Sequence, residues 1–441
     1  MIHSSAPMRT ALALVLTGGA LTAAHATNGY FPHGFGIKAQ GMGGAAIATA
    51  DDAFSGVNNP GAATFAGNQW ELGGAVFSPS RSMTRTDPSG MLQGAFVANE
   101  SSGRNHFLIP EFGYNRKLSS TTAVGLTVYG NGGMNTSYTG ASTVCPTGMT
   151  TPPAMGMNAM CGQGKLGVDL MQLIVAPTFA YKGTPDHSFG VSPLLVLQRF
   201  EAYGLQGFAP MSSNAKALTN NGKDSSTGLG VRLGYMGKLS DKVSVGATYS
   251  PKISMSRMDK YAGLFSEQGK FDIPANYGVG AAFQLSPTVQ LATDYTRINY
   301  SKVPSIGNPA SLMTPMGATN GGGFGWRDVE TLKVGVQWKM NDKTTLRFGV
   351  NRGTNPVTSS SLTPNILAPG VMQTHWTMGG TYGLTPTSEL SWMFAYAPQV
   401  SVSGPSMFNG MVQQMMGVNP NMQETVRMKQ TILGLQYTKK F

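Results

Sequence analysis

Cys145 and Cys161 are the two cysteines of this 441-residue chain, and thiol chemistry is the first chemistry that the sequence offers. Both cysteines fall in one long predicted loop. In an exported chain, an even pair of cysteines most simply forms a disulfide. A metal site would need more ligands than two cysteines without a nearby histidine supply, so we expect no metal and no cofactor.

Histidines are scarce after the predicted signal segment: His33, His106, His187 and His375. None belongs to an H-E-x-x-H motif, and the chain contains no G-x-S-x-G motif. We therefore predict that the protein is not an enzyme. A barrel phospholipase stays open as an alternative, because a serine and its activating histidine meet in space rather than in sequence.

Two cations, Lys333 and Arg347, fall on the predicted inward faces of neighbouring strands, opposite an alternating set of apolar residues. Because a buried charge needs a partner, we expect them to pair with inward acids such as Glu111 or Asp294. Binding of a ligand carboxylate is the alternative. Both cations are therefore also candidate ligand contacts.

The predicted export of the chain limits the kind of secondary structure that can position these residues. Residues 1–26 have the pattern of a secretory signal peptide: Arg9, a short apolar run, and the cleavage motif Ala24-His25-Ala26. No later window of about 18 apolar residues predicts a transmembrane helix. If the exported chain spans a membrane, it must therefore do so with β-strands.

Period-two alternation predicts fourteen strands. The predicted strands are 69–82, 106–118, 121–131, 167–182, 187–203, 227–238, 242–254, 272–285, 288–301, 326–340, 343–353, 374–384, 388–403 and 425–441. Tight turns alternate with links of roughly 17 to 35 residues, as the short periplasmic turns and long external loops of outer-membrane barrels do. The last strand ends on the aromatic Phe441. The fold class is therefore all-β, a 14-stranded antiparallel transmembrane barrel over residues 69–441.

Composition agrees with a membrane barrel. Charged residues make up 12% of the chain, against about 25% for an ordinary soluble domain. The net charge of +11 comes without a Lys/Arg cluster, zinc spacing or RNA-binding signature, so no nucleic-acid partner is predicted. Acidic outer-membrane lipid, including lipopolysaccharide, is the expected partner of this basic chain.

The sequence resembles the FadL-type family of outer-membrane transporters for long-chain fatty acids and other hydrophobic compounds. The resemblance is carried by the stretch from Gly41 through Asp51-Asp52 to Asn59-Pro60-Gly61-Ala62, by Gly325-Trp326-Arg327-Asp328, and by Asn355-Pro356-Val357. It implies that residues 27–68 form a hatch inside the lumen. It also implies that Asn59, Pro60 and Gly61 form a gate against an interruption in a barrel strand, with Gly61 replacing the family's usual alanine.

Residues 27–68 have a composition suited to a plug. Their many glycines and alanines fit a lumen lined by side chains. Aromatic residues, among them Phe31 and Phe35, are too frequent for a solvated tail. We expect Phe31 and Phe35 to contact the ligand.

The predicted external loops are rich in methionine and aromatic residues, which suit a surface for varied apolar ligands. Tyr261, Leu264 and Phe265 follow helical spacing in one loop and are candidate ligand contacts. The alternative is that these residues pack the loops onto one another and cap the barrel.

The expected function is uptake of a hydrophobic small molecule, chiefly a long-chain fatty acid, which binds in the lumen and leaves sideways through the barrel wall when the hatch moves. Transport of aromatic hydrocarbons is one alternative. A general diffusion porin, with a charged constriction and no plug, is another. We expect a monomer.

Overall fold

The computed structural model describes residues 28–140, 143–147, 150–310 and 313–441. The predicted signal peptide, residues 1–26, lies outside this part of the chain. The described residues form a closed barrel of fourteen antiparallel strands, with the first barrel strand paired to the last. The predicted fold class is therefore confirmed.

All fourteen predicted strands are present, and the structure adds three short ones, β2, β5 and β6. The strands are β1 (Gln69–Thr86), β2 (Ala98–Ser101), β3 (Phe107–Lys117), β4 (Thr122–Tyr138), β5 (Thr143–Thr147), β6 (Thr150–Met157), β7 (Leu166–Thr184), β8 (His187–Tyr203), β9 (Asp224–Ser240), β10 (Val243–Ser250), β11 (Asn276–Ser286), β12 (Val289–Ile298), β13 (Val329–Lys339), β14 (Thr344–Gly353), β15 (Thr374–Thr385), β16 (Ser388–Pro405) and β17 (Gln423–Lys440). In the barrel β4 pairs with β7, because β5 and β6 form a separate hairpin.

Two of the strands that are shorter than predicted are cut short at a proline. The predicted strand 242–254 ends at Ser250, directly before Pro251, and the predicted strand 272–285 begins after Pro274. Proline has no N–H to donate to a ladder, so it ends regular pairing.

Side-chain alternation follows the expected period. In β17, Leu433 and Leu435 are 61% and 60% exposed, whereas Gln436 between Leu435 and Tyr437 is buried. In β13, Leu332 is exposed and Lys333 is buried. The outer surface is therefore apolar and the inner one polar, as a lipid-exposed barrel requires.

Short helices lie in the N-terminal segment and in the loops between strands. The α-helices are α1 (Ile37–Gly41), α2 (Ser55–Asn58), α3 (Ser266–Gly269), α4 (Pro304–Gly307), α5 (Leu362–Asn365) and α6 (Phe408–Met416), and the 3-10 helices are Pro60–Thr64, Gln206–Met211, Ala215–Ala217, Asp259–Tyr261, Tyr300–Lys302 and Ser359–Ser361. Among the described residues, no helix is both long and apolar enough to cross a membrane.

The N-terminal segment, residues 28–68, is called the hatch here. Almost all of it is buried, and its backbone bonds to inward-facing side chains of many barrel strands. Ala46 and Ile47 donate to the Asp294 carboxylate of β12, at 2.7 and 3.1 Å. Ile37 donates to Gln436 of β17 at 3.2 Å. These bonds satisfy backbone groups that a helix or sheet would otherwise pair.

Candidate ligand path

The external loops enclose a cavity with about 800 Å³ of atom-free space, part of it open to solvent, which we call the loop cavity. Its lining comes from one end of β7 and of β8, from the loops after β6, β8, β10, β12 and β14, and from the residue before α6. The lining residues are Met160, Val168, Phe200, Leu205, Phe208, Met211, Leu264, Phe265, Ser305, Ala310, Met316, Gly322, Gly323, Phe324, Thr363, Pro364, Leu367 and Met407.

A buried ion pair holds the loops above the barrel. Arg85 of β1 and Glu424 of β17 are fully buried, with Nε and Oε1 2.7 Å apart. Glu424 also accepts hydrogen bonds from Thr363 and Ser406, at 2.7 and 2.8 Å. Thr363 lies in α5, and Ser406 precedes α6, so one carboxylate fixes two loops that line the loop cavity.

The loop cavity is chemically apolar. Ser305 and Thr363 are the polar side chains among the residues that line it, and none of these residues is charged. Phe200 and Phe265 lie 4.6 Å apart between ring centroids and form part of the wall. Such a space favours an apolar ligand, because a charged group would lose its hydration there without a partner.

Leu264 and Phe265, two of the predicted ligand contacts, line the loop cavity, but Tyr261 does not. Tyr261 is fully buried beside Phe200, with ring centroids 4.8 Å apart. Its hydroxyl donates to Gly222 O at 2.6 Å and accepts from Ala202 N at 3.1 Å. Burial raises the pKa of Tyr261, so this hydroxyl stays protonated and serves to join loops.

A second space, the hatch cavity, lies between the hatch and strands β9 to β13. Phe31, Phe35 and Lys333, all predicted ligand contacts, line it together. Arg232 and Arg297 are the other cations in its lining, which contains no carboxylate. The structure thus brings three of the predicted residues together, at a site separate from Leu264 and Phe265.

The cations of the hatch cavity differ in their partners. Arg297 bridges Asp328 and Glu330, at 2.9 and 2.7 Å. Arg232 donates to Val57 O at 2.6 Å and to Asn276 Oδ1 at 3.2 Å, while its buried Nε has no hydrogen-bond partner. Lys333 is buried and stands opposite Asp294 in the β12–β13 register. Arg232 therefore retains a donor that a ligand oxygen can use.

Arg347 contacts neither cavity. It donates to Gln337 Oε1 and Thr381 Oγ1, each at 2.7 Å, so the acid partner expected for it is replaced by neutral side chains. Its side chain lies beside Gly41 of α1. Arg347 therefore lies next to the hatch, and Glu111, the other expected acid partner, is buried next to the hatch as well.

Lys38 of α1 secures the end of the hatch opposite the external loops. It pairs with Glu389 of β16 and lies 3.8 Å from Glu71 of β1. Glu71 in turn accepts from the Ala53 backbone at 2.9 Å. Lys38 and the two barrel acids Glu389 and Glu71 therefore attach the hatch to the barrel wall.

Asn59, Pro60 and Gly61 lie against β8, β9 and β10. Asn59 Nδ2 donates to Tyr235 O and to Ile47 O, each at 2.7 Å, and Gly61 N donates back to Asn59 Oδ1 at 3.0 Å. β8 and β9 pair continuously here, from His187–Gly237 to Phe200–Asp224, whereas the β7–β8 ladder has no pairs between Val175–Leu195 and Phe179–Val191. An interruption of the kind that the resemblance implied therefore lies close to this segment, on the side of β8 that faces β7.

Glycines in the barrel wall make room for this contact. A Cβ at Gly234 would lie 2.2 Å from Asn59 Oδ1, and one at Gly190 would lie 2.3 Å from the Pro60 carbonyl carbon. A Cβ at Gly61 itself would lie 2.9 Å from the Met236 nitrogen. The glycine at position 61 thus permits closer approach to the wall than an alanine would.

The barrel wall also divides between β3 and β4. Their ladder runs from Phe112–Val128 to Lys117–Ala123 and ends there. Beyond it, Phe107 to Glu111 pair with β1, and β4 continues along β7 past a bulge at Gly130–Gly132. We call this division the β3–β4 fork. Phe35 of the hatch packs on Tyr129, the first β4 residue beyond the ladder, with ring centroids 4.6 Å apart.

Cys145 and Cys161 are joined by a disulfide, with their Cα atoms 5.7 Å apart. Cys145 lies in β5, and Cys161 follows β6 beside the cavity-lining Met160. The bond thus connects the extra hairpin to the loop cavity. No cluster of metal-ligating side chains occurs within the described ranges.

Several residues of the loop cavity were absent from the predicted contacts, notably Phe200, Phe208 and Phe324. Phe200 looks like an ordinary inward strand residue in sequence, and the two others sit in loops without periodicity. The methionine content of the loops was the one signal available, and Met160 and Met407 do line the cavity.

The fold and the two cavities define a class: an outer-membrane barrel closed by an internal hatch, with an apolar binding space among its external loops. The profile of the family described as "Outer membrane protein transport protein (OMPP1/FadL/TodX)" matches residues 13–441. The chain belongs to this family of outer-membrane transport proteins for hydrophobic compounds, and is thus an integral protein of the Gram-negative outer membrane.

Solved structures with the same fold include the Pseudomonas putida toluene transporter TodX, at 19% identity and a TM-score of 0.64, over 94% of this chain and 100% of that one. The Ralstonia pickettii toluene transporter TbuX has 17% identity and a TM-score of 0.61, over 93% of this chain and 99% of that one. A Pseudomonas aeruginosa FadL homologue has 14% identity and a TM-score of 0.66, over 94% of this chain and 100% of that one. At these identities the likeness concerns the fold alone. No curated protein sequence matches the chain.

Proposed function

We propose that this protein carries long-chain fatty acids across the outer membrane without chemical conversion and without a cofactor. The acyl chain binds first in the loop cavity, the carboxylate is then received in the hatch cavity, and the molecule leaves through the β3–β4 fork when the hatch moves. The observation that carries the proposal is the pairing of an uncharged apolar cavity with a second, cationic one.

The loop cavity supports the first step. Burial of each methylene contributes about 0.8 kcal/mol, so an alkyl chain gains affinity with its length and needs no specific polar contact. Met160, Met211 and Met407 line the cavity, and their flexible thioethers adapt to ligands of different shape.

The hatch cavity supports the carboxylate. Arg232 and Lys333 are both buried there, beside Phe31 and Phe35. An ionised carboxylate forms strong charge-assisted hydrogen bonds with such cations. A hydrocarbon without a polar group would gain nothing from them.

The exit supports the final step. The hatch is packed on the wall, with Phe35 against Tyr129 at the fork. A ligand therefore passes only if the hatch shifts, and a lateral route delivers an apolar molecule to lipid rather than to water. Asn59, Pro60 and Gly61 act in this proposal by holding the hatch on the far wall.

Uptake of labelled oleate and labelled toluene by cells that express the protein tests the substrate class. Replacement of the buried cation by Lys333→Met should reduce oleate uptake about tenfold, the effect expected for loss of one charge-assisted bond, and leave toluene uptake unchanged. Lys339→Met, in the same strand but at its exposed end, is the matched control.

Transport of aromatic hydrocarbons is the second candidate, favoured by the absence of charge among the residues that line the loop cavity. Rapid toluene uptake without oleate uptake would identify it and refute the fatty-acid proposal. A general diffusion porin would instead admit hydrophilic solutes through the unmodified barrel, a behaviour that liposome swelling measures.

A further inference from the structure

The outer face of β16, β17 and β1 changes abruptly from apolar to polar. Val76 and Leu433 are paired, outward-facing and exposed, and Phe394 of β16 pairs with Leu433 on its other side. Two residues further toward the external loops, Thr431 pairs with Ser78. From there on, the outward side chains of β1 and β17 are polar, and the exposed Tyr396 of β16, which pairs with Thr431, marks the boundary.

The polar zone is made of hydroxyl groups around two cations. Its outward-facing residues are Ser78, Ser80, Ser82, Thr84 and Thr86 of β1, Ser401 and Ser403 of β16, and Thr425, Arg427, Lys429 and Thr431 of β17. We call this set the β1–β17 patch. Arg427 pairs in register with Ser82 and Ser401, and Lys429 pairs with Ser80.

The position of the patch matches the outer membrane interface. Trp70 and Tyr437 pack together at the other end of the same strands, with ring centroids 5.6 Å apart, as an aromatic girdle does. From Trp70 to Ser78 a strand that rises about 3.4 Å per residue at a tilt of about 40° climbs about 20 Å. This is close to the thickness of the lipid-exposed band, so Lys429 and Arg427 stand at the level of the external headgroups.

Neither cation is neutralised within the described residues. Arg427 donates to Thr84 Oγ1 at 3.3 Å, and Lys429 has no carboxylate within ion-pair distance. The nearest acid in the strand, Glu424, faces inward and pairs with Arg85. On the opposite side of the barrel, by contrast, Arg297 of β12 is paired with two acids. The β1–β17 patch therefore carries two neighbouring cations without an acidic protein partner.

We propose that the β1–β17 patch binds the phosphorylated glucosamine headgroup of lipid A, the anchor of lipopolysaccharide in the outer leaflet. A phosphate accepts bonds from Arg427 and Lys429, the serine and threonine hydroxyls bond to sugar hydroxyls, and the acyl chains lie on Val76, Leu433 and Phe394 below. A phospholipid would supply the phosphate but not the sugar that matches this row of hydroxyls.

Native mass spectrometry of the purified full-length barrel in detergent tests the site. The probes are bis-phosphorylated lipid A, dephosphorylated lipid A and phosphatidylglycerol. The variant Arg427→Gln with Lys429→Gln should bind bis-phosphorylated lipid A about thirtyfold more weakly, as expected for two interfacial cations. Arg352→Gln, which removes an outward cation at the external end of β14, and Lys439→Gln, at the periplasmic end of β17, are the controls and should bind normally.

Each result bears on the site. Selective binding of bis-phosphorylated lipid A by the wild type, lost in the double variant alone, supports it. Equal affinity for phosphatidylglycerol, equal affinity for dephosphorylated lipid A, or equal loss in the control variants overturns it, because the patch would then be an unselective surface. The heat-dependent shift of the barrel on electrophoresis reports folding of every variant.

Discussion

The loop cavity and the hatch are stabilised by different kinds of contact. Phe200, Phe265 and their neighbours enclose the loop cavity by apolar packing around one buried ion pair. The hatch is fixed by directional bonds, from Asn59 to Tyr235 O and from Ala46 and Ile47 to Asp294. A hydrophobic ligand can therefore bind among the loops through apolar contacts, but it cannot form the hydrogen bonds that hold the hatch in place.

This difference explains why binding and release need separate elements. Apolar contact is non-directional, so the loop cavity can accept ligands of various shapes. Hydrogen bonds to the hatch have defined geometry and give it a single closed position. Four experiments, given from the largest expected effect to the smallest, test whether the loop cavity binds the ligand and the hatch controls its release.

A charge in the loop cavity should have the largest effect. Leu264→Asp places a carboxylate among uncharged groups, and the cost of bringing an apolar chain against it should lower affinity for a fluorescent fatty acid about 100-fold. Met416→Asp, at a methionine of α6 that is 58% exposed, is the control and should bind normally. Full affinity of folded Leu264→Asp would mean that the ligand binds elsewhere.

Loosening of the hatch should reduce uptake about tenfold. Asn59→Ala with Pro60→Ala removes three hydrogen bonds worth about 1 kcal/mol each and a fixed bend, while the barrel strands stay intact. Binding to the loop cavity should persist. The external pair Asn419→Ala with Pro420→Ala is the matched control. Deletion of residues 54–63 is the stronger version of the same change.

Oleate uptake in cells and conductance in planar bilayers should be measured on the same hatch variants. Undiminished uptake together with a large new conductance would contradict the lateral route, since the hatch would then be a simple plug.

The exit should be visible as a several-fold preference in cross-linking. A fatty acid with a terminal diazirine, illuminated during uptake, should form adducts with Leu108 and Tyr129 at the β3–β4 fork more often than with Tyr249 or Val279 of β10 and β11, because the fork is where strand pairing ends. Peptide mass spectrometry locates the adducts. A reverse preference would move the exit to the other wall.

Loss of the disulfide should have the smallest effect. Cys145→Ser with Cys161→Ser removes a constraint worth at most about 3 kcal/mol for a loop of this size, and the barrel ladders do not depend on it. Circular dichroism should keep its β-signal, and uptake should change less than twofold. Free thiols in the wild-type protein from outer membranes would show that the bond does not form.

Much of the fold was predictable because each barrel strand shows an alternating pattern within its own short stretch of sequence. Leu332, Lys333 and Val334 alternate between lipid and lumen, and this period identifies a strand without knowledge of its partners. Strand ends were less predictable where prolines such as Pro251 stop the ladder early. The candidate site was found in part: Leu264 and Phe265 line one cavity, and Phe31, Phe35 and Lys333 line the other.

The sequence by itself determined the strand number, the side of each strand that meets lipid, and the small-residue composition of the hatch, since each depends on the period or composition of a short stretch. The tertiary structure decided that the predicted contacts divide between two cavities, that Arg347 bonds to Gln337 and Thr381 rather than to an acid, and that β3 and β4 separate at the fork. These features depend on which residues from distant strands and loops meet across the lumen, and no local pattern records such a meeting.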